Sequence, residues 1–116
     1  MGKKFKVVGI SSCAVGIAHT YMNAEMMVKE GKAYGLDVHI EKQGALGIED
    51  EVSQQEFDEA DAIVLCCGVL PMNTERFEKY REKTIEVDFN KVVKNPAIFI
   101  TALKEAGLLD KDLQKI

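Results

Sequence analysis

The sequence predicts an α/β domain: an open four-stranded parallel sheet in the order 2-1-3-4, Rossmann-like, with helices on both faces. Three observations carry this. Short apolar runs of strand character alternate along the chain with segments of helical period, and parallel strands joined by crossover helices satisfy that alternation. The run Ala62-Ile63-Val64-Leu65-Cys66-Cys67 is continuously apolar, as a central strand covered on both faces must be. The order also puts the first strand centrally, so its carboxyl end falls at the switch point where such sheets bind ligands.

Taken in order, residues Lys4 to Ile10 read as strand one, ended by Ser11-Ser12. From Ile17 to Tyr34 the pattern is helical, with Ile17, Tyr21, Ala24 and Val28 on one face and Gly35 as the terminating residue. Leu36 to Glu41 alternates apolar and polar residues, which predicts a half-exposed strand at a sheet edge. A loop with two glycines follows, Gln43 to Ile48. Ser53 and Glu56 have the spacing of a capping box at the start of a short helix. After the Ala62–Cys67 strand, Gly68 to Thr74 is a connecting loop containing Pro71, and Lys83 to Val87 reads as a last, edge strand. Asn95-Pro96 supplies an N-cap with proline at the first helical position. The stripe Ile98, Phe99, Ala102, Leu103 and Ala106 then ends at Gly107. Residues 1–107 are therefore expected to form the domain and residues 108–116 a C-terminal tail.

With 116 residues the chain can bury one core without disulfide help. Its net charge of −4 and lack of a basic run argue against nucleic acid as a partner. Three cysteines, two of them adjacent, do not make a disulfide framework, and a reducing cytoplasm suits them. The longest apolar run, Ala62–Leu70, is too short to span a bilayer, and Met1-Gly2-Lys3-Lys4 leads into a strand rather than a signal-peptide core. A membrane role would have to come through a partner.

The chemistry concentrates in Cys13-Ala14-Val15-Gly16-Ile17-Ala18-His19-Thr20. A helix start after a strand offers converging backbone amides, attracts anions and favours a thiolate. Gly16 lets the backbone approach a bound tetrahedral anion, and His19 and Thr20 fall in the helix's first turn. A thiolate at Cys13 could attack a phosphoryl donor, with amides holding the three phosphoryl oxygens. The residues alone leave a second reading open, a small buried hydrophobe beside a tight turn. Five residues separate Cys13 from His19, the spacing of the C-x5-R-[ST] loop of cysteine-dependent phosphatases, with His-Thr in place of Arg-[ST].

The same stretch resembles the C-P-T-G-I-A-H-T loop of the fructose-type enzyme IIB components of the bacterial sugar phosphotransferase system. The likeness continues through Tyr21-Met22-Asn23-Ala24-Glu25, Glu41-Lys42-Gln43-Gly44, Gly47-Ile48-Glu49, Ala60-Asp61 with Ile63-Val64, and Arg76-Phe77. It spans about residues 3 to 106. The resemblance implies that Cys13 accepts a phosphoryl group from a phosphohistidine on a IIA protein. Cys13 would then pass it to a hexose as a membrane IIC permease brings the sugar inward. It also implies that Ala14, Val15, Gly16, Ile17, Ala18, His19 and Thr20 line the phosphate loop, with Gln43 and Gly44 beside it. No metal or cofactor is needed, since the protein itself carries the group.

Two departures stand out. The family's Pro-Thr after the cysteine is Ala14-Val15 here, which removes a stiffening ring and a hydroxyl worth roughly 1 kcal/mol to a bound phosphate. Cys66-Cys67-Gly68 ends the third strand where small and acidic residues are expected. A phosphatase would want an arginine at position 19 and an acid in the Gly68–Thr74 loop; neither is present, which suits a carrier that holds phosphate without hydrolysing it. A regulatory IIB-like protein not engaged in transport is the other alternative. His39 is expected to be solvated on its edge strand, and Cys66 and Cys67 to be packing residues. Met22, Met26 and Met27 are expected in core or shoulder packing, and Glu49-Asp50-Glu51 in a solvated loop.

Overall fold

A computed structural model describes residues 5–13, 17–44 and 47–116. Strand β1 (Lys6–Ser12) is buried from Val7 onward and forms the middle of the sheet. Helix α1 (Ile17–Ala33) leads back to β2 (Asp37–Gly44), which pairs with β1 in parallel from Lys6–Asp37 to Ser12–Gln43. A short β3 (Gly47–Glu49) then turns back against β2. Helix α2 (Gln54–Glu59) leads to β4 (Ala62–Cys67), which lies on the other side of β1. Two 3-10 segments, Thr74–Arg76 and Glu78–Lys83, precede the edge strand β5 (Thr84–Glu86), and α3 (Ala97–Glu105) is the last helix.

The sheet among the described residues is therefore five-stranded and mixed, in the order β3-β2-β1-β4-β5, not four-stranded and all-parallel. The expected glycine loop is where the difference arises. Lys42, Gln43 and Gly44 stay in β2 and pair with Glu49, Ile48 and Gly47 of β3, so β2 is an inner strand at its carboxyl end. A three-residue strand is too short to show a period of its own. Ser11 and Ser12 likewise continue β1 instead of ending it, because Gln43 and Cys67 extend the ladders on either side.

Two apolar layers sandwich the sheet. On one face α1 and α3 cover Val7, Ile40, Val64 and Cys66 with Ala24, Met27, Phe99 and Leu103. On the other, α2 and the 3-10 segments cover Val8, Ile10 and Ile63 with Phe57 and Phe77. The capping box of α2 forms as expected, the Ser53 hydroxyl accepting from the Glu56 N–H while Glu56 accepts from the Ser53 N–H. Gly35 and Gly107, at φ +76° and +78°, follow α1 and α3 in the left-handed conformation that glycine adopts without steric cost. Helix α3 begins at Ala97, one residue later than the proline-first expectation, although Pro96 is already helical in φ and ψ.

Helix α1 is rotated from its expected face. Thr20, Asn23, Ala24, Met27 and Gly31 are the buried stripe, whereas Val28 and Met22 are exposed and Tyr21 is half-buried. Gly31 explains the rotation: a Cβ there would lie 2.3 Å from Val38 Cγ2, so the helix meets β2 at the one position with no side chain. Of the three methionines, Met27 is fully buried and Met26 packs against the core, while Met22 faces outward.

Residues 108–116 lie on the same core. Leu109 is buried, Leu108 and Leu113 pack beside it, and the Ile116 N–H donates to the Ala33 carbonyl at 2.8 Å.

Candidate functional site

Cys13 immediately follows β1 and is half-buried; its N–H donates to the Gln43 carbonyl at 3.2 Å. Its neighbours β2 and β4 flank β1 on opposite sides, and α1 begins at Ile17. The thiol-bearing residue thus stands at the carboxyl edge of the sheet, at its switch point. Ala14, Val15 and Gly16 fall outside the described residues, as does the side chain of Ile17.

The first turns of α1 are tied to the strand. Ser11 Oγ donates to the Thr20 carbonyl at 2.9 Å, and Thr20 itself is buried. Ala18 and His19 are exposed, and the His19 ring lies 6.4 Å from that of Phe89, centroid to centroid. Asn23 is fully buried: its Nδ2 donates to the Phe89 carbonyl at 2.9 Å, and its Oδ1 has no hydrogen-bond partner among the described residues. No acidic residue occupies the first turn of α1, and the N-terminal end of a helix favours negative charge.

The loop between β4 and the first 3-10 segment forms the opposite side. Gly68 N–H donates to the Ser12 carbonyl at 2.8 Å, and Ser12 Oγ to the Val69 carbonyl at 2.9 Å. Further on, the Gln43 side chain grips the Met72 backbone, accepting its N–H at 2.7 Å and donating to its carbonyl at 3.1 Å. Val69, Leu70 and Met72 are large apolar side chains exposed in this loop, Leu70 at 92%. Gln43 and Gly44, expected beside the loop from the β2 end, occupy the last two positions of that strand, and Gln43 is directly opposite Ser12.

The other thiols are differently placed. Cys66 is in the core, where burial above all pushes its thiol up to about 12. Burial also raises Cys67, against a lowering hydrogen bond with Ser12. Both are poor nucleophiles near neutral pH. Among the described residues no cluster of three or more His, Cys, Asp or Glu is arranged to hold a metal ion.

Sequence reasoning missed Glu41 and Arg76 as a unit. The alternation of β2 is consistent with Glu41 facing solvent, yet it is fully buried, with Arg76 Nη1 2.6 Å from its Oε1. Burial pushes the Glu41 carboxyl up, but hydrogen bonds from Arg76, Gln43 and the Val52 N–H outweigh it and hold the group below the usual carboxylate range. Arg76 is raised in turn by its bond to Glu41. No local sequence signal links residues 35 apart; only the fold brings them together. His39 is also corrected: it is not simply solvated but lies 2.5 Å through Nδ1 from Glu56 Oε2 and 2.8 Å through Nε2 from the Asp50 carbonyl. The acidic residues 49–51 are exposed as expected, but Glu49 ends β3 opposite Lys42 rather than lying in a loop, and Asp50 is bonded to Lys42.

Residues 8–102 match the family model described as the PTS system, lactose/cellobiose-specific IIB subunit. The chain is 33% identical over 100 residues to the fructose-like EIIB component 1 of Escherichia coli K12, covering 86% of this chain and 91% of that protein. It is 32% identical over 95 residues to a fructose-like EIIBC component from the same strain, of which it spans 20%. Among solved structures, an enzyme IIB subunit from Escherichia coli K12 superposes with a TM-score of 0.79 at 32% identity, covering 89% of this chain and 94% of that one. A IIB from Escherichia coli described as a predicted fructose-specific protein gives 0.80 at 28%, covering 94% of each chain.

Proposed function

Because the chain belongs to the IIB family of the sugar phosphotransferase system, whose domains act in phosphoryl transfer during sugar uptake, we propose that Cys13 is the residue that carries the phosphoryl group. The observation that supports this most directly is the position of Cys13, half-buried at the carboxyl end of the central strand with α1 starting four residues later. In the first step the Cys13 thiolate attacks the phosphorus of a phosphohistidine on a IIA protein. The S–P bond forms, the N–P bond breaks, and the released imidazole keeps the electron pair and takes up a proton. In the second step a sugar hydroxyl presented by a IIC permease attacks the phosphocysteine. The O–P bond forms, the S–P bond breaks, and the thiolate is restored as the hydroxyl proton passes to solvent.

In this reading Ala14, Val15, Gly16, Ile17 and Ala18 supply backbone amides to the phosphoryl oxygens, with His19 and Thr20 in the helix's first turn. Gln43 and Gly44 flank the loop from β2. The acceptor is a fructose-like hexose: the named relatives covering most of the chain are fructose-like components, whereas the family model carries a lactose/cellobiose name. IIA and IIC are the expected partners, and relatives that join IIB to IIC, or to both, in one chain support that pairing. No described helix is long and apolar enough to cross a membrane. In this reading the domain meets the membrane's inner face through IIC.

The test is direct. With phosphoenolpyruvate, the general transfer proteins and a matching IIA, one phosphate should map to Cys13 by mass spectrometry, and Cys13→Ser should take up none. Label on another residue, or undiminished label in Cys13→Ser, would sink the mechanism. Stable label that no hexose discharges would point to the regulatory role, and steady release of inorganic phosphate to a phosphatase.

A further inference from the structure

Next to Gln43, which pairs with Ser12, lies a buried ion pair in which both Glu41 carboxylate oxygens and every Arg76 N–H are bonded. Glu41 accepts from Arg76 Nη1 at 2.6 Å and the Val52 N–H at 2.9 Å on Oε1. Its Oε2 accepts from Arg76 Nη2 at 3.0 Å and Gln43 Nε2 at 2.7 Å. Arg76 spends its remaining donors on the carbonyls of Asn73 at 2.9 Å, Val52 at 2.9 Å and Met72 at 3.4 Å, and its guanidinium lies over the Phe57 ring. A buried ion pair adds little net stability over an apolar replacement, because desolvation offsets the attraction; what it can add is a single defined conformation.

The geometry points to Glu41 and Arg76 as positioning residues for the Cys13 thiol, acting through Gln43, an inference that rests on the phosphocarrier reading above. The carboxylate accepts only, so Gln43 must turn its Nε2 toward Glu41, and its Oε1 is then left facing the Met72 N–H. In that orientation Gln43 links two things at once. Its carbonyl holds the Cys13 N–H, and its side chain holds Met72. The loop 68–73 is thereby fastened at both ends to residues beside Cys13, through Ser12 at its root and Gln43 at its far end. Arg76 reinforces the far end by binding Asn73 and Met72 directly. The ion pair thus fixes where the loop 68–73 stands relative to the strand end that carries Cys13, and transfer through an in-line transition state is sensitive to such placement.

Two variants test this, Gln43→Met and Arg76→Lys. The first removes the amide at similar length; the second keeps a charge beside Glu41 but loses the planar fork. In each, amide exchange at Met72 should quicken about tenfold or more while β1 and β4 amides keep their protection. The kcat for transfer from phosphorylated IIA should fall about tenfold with KM within about twofold, Arg76→Lys being the milder. Unchanged exchange at Met72, or faster exchange with wild-type kcat, would overturn the proposal. So would exchange that quickens equally through β1, β4 and α1, which marks a role in stability alone. A wild-type chain that takes no phosphate on Cys13 overturns the carrier reading and, with it, the role toward the thiol. The exchange data then decide separately whether the pair governs the loop.

Discussion

At the scale of single residues, a carboxylate with no solvent exposure persists at Glu41 because Arg76, Gln43 and the Val52 N–H satisfy both of its oxygens. Its proton affinity is lowered on folding, so the sign of its pH dependence follows. The stabilisation is complete above its unfolded value of about 4.5 and is lost as pH falls through the lower folded value. Urea unfolding of the wild type should therefore lose stability below about pH 4.5, and Glu41→Gln, less stable at pH 7, should lose less over the same interval. Equal slopes for the two proteins would remove Glu41 from the acid transition. The contrast among the cysteines belongs to the same scale. Cys66 is fixed in the core by packing, whereas Cys13 is half-buried where the strand ends, and that difference in placement separates inert thiol from candidate carrier.

At the scale of elements, α2 shows how local and tertiary bonds combine. Its six residues are too few to be helical alone, and the capping box supplies its start while Phe57 anchors it to the sheet. Glu56 also reaches His39 on β2, so one side chain both caps the helix and fastens it. Ser53→Ala should lower stability by about 1 kcal/mol, read as a shift in the denaturation midpoint with an unchanged slope. A negligible shift would show that tertiary contacts alone hold α2. Helix α1 illustrates the opposite balance: its existence is local, but its rotation is set by the close approach at Gly31, which no pattern of apolar residues expressed.

At the scale of the whole molecule, the last nine residues close one side of the core. Leu109 is buried with α3 and β5, Lys104 Nζ donates to the Leu113 carbonyl at 2.8 Å, and the chain end reaches Ala33. Truncation after Gly107 should cost roughly 2–4 kcal/mol through the apolar area exposed at Leu108, Leu109 and Leu113. Chemical denaturation checks this, and an unaltered midpoint would make residues 108–116 a dispensable tail. The sheet's layout acts at this scale too, since only the crossing from β2 through β1 to β4 brings Gln43, Cys13 and the loop 68–73 to one edge.

The sequence by itself determined the parts whose physics is local. The continuous apolar run of β4, the Ser53–Glu56 cap and the helix-ending glycines at 35 and 107 can each be read within a few residues, as can the Cys13–Thr20 loop that carries the family resemblance. The tertiary structure decided what depends on distant partners. β3 exists because the end of β2 lies beside it, and α1 turns its polar Thr20 and Asn23 inward because Gly31 must meet Val38. Glu41 can be buried because a guanidinium 35 residues away arrives with its donors in place. Hydrophobic periodicity reports which residues prefer to leave water, but the burial of a charge depends on a partner that only the completed fold supplies.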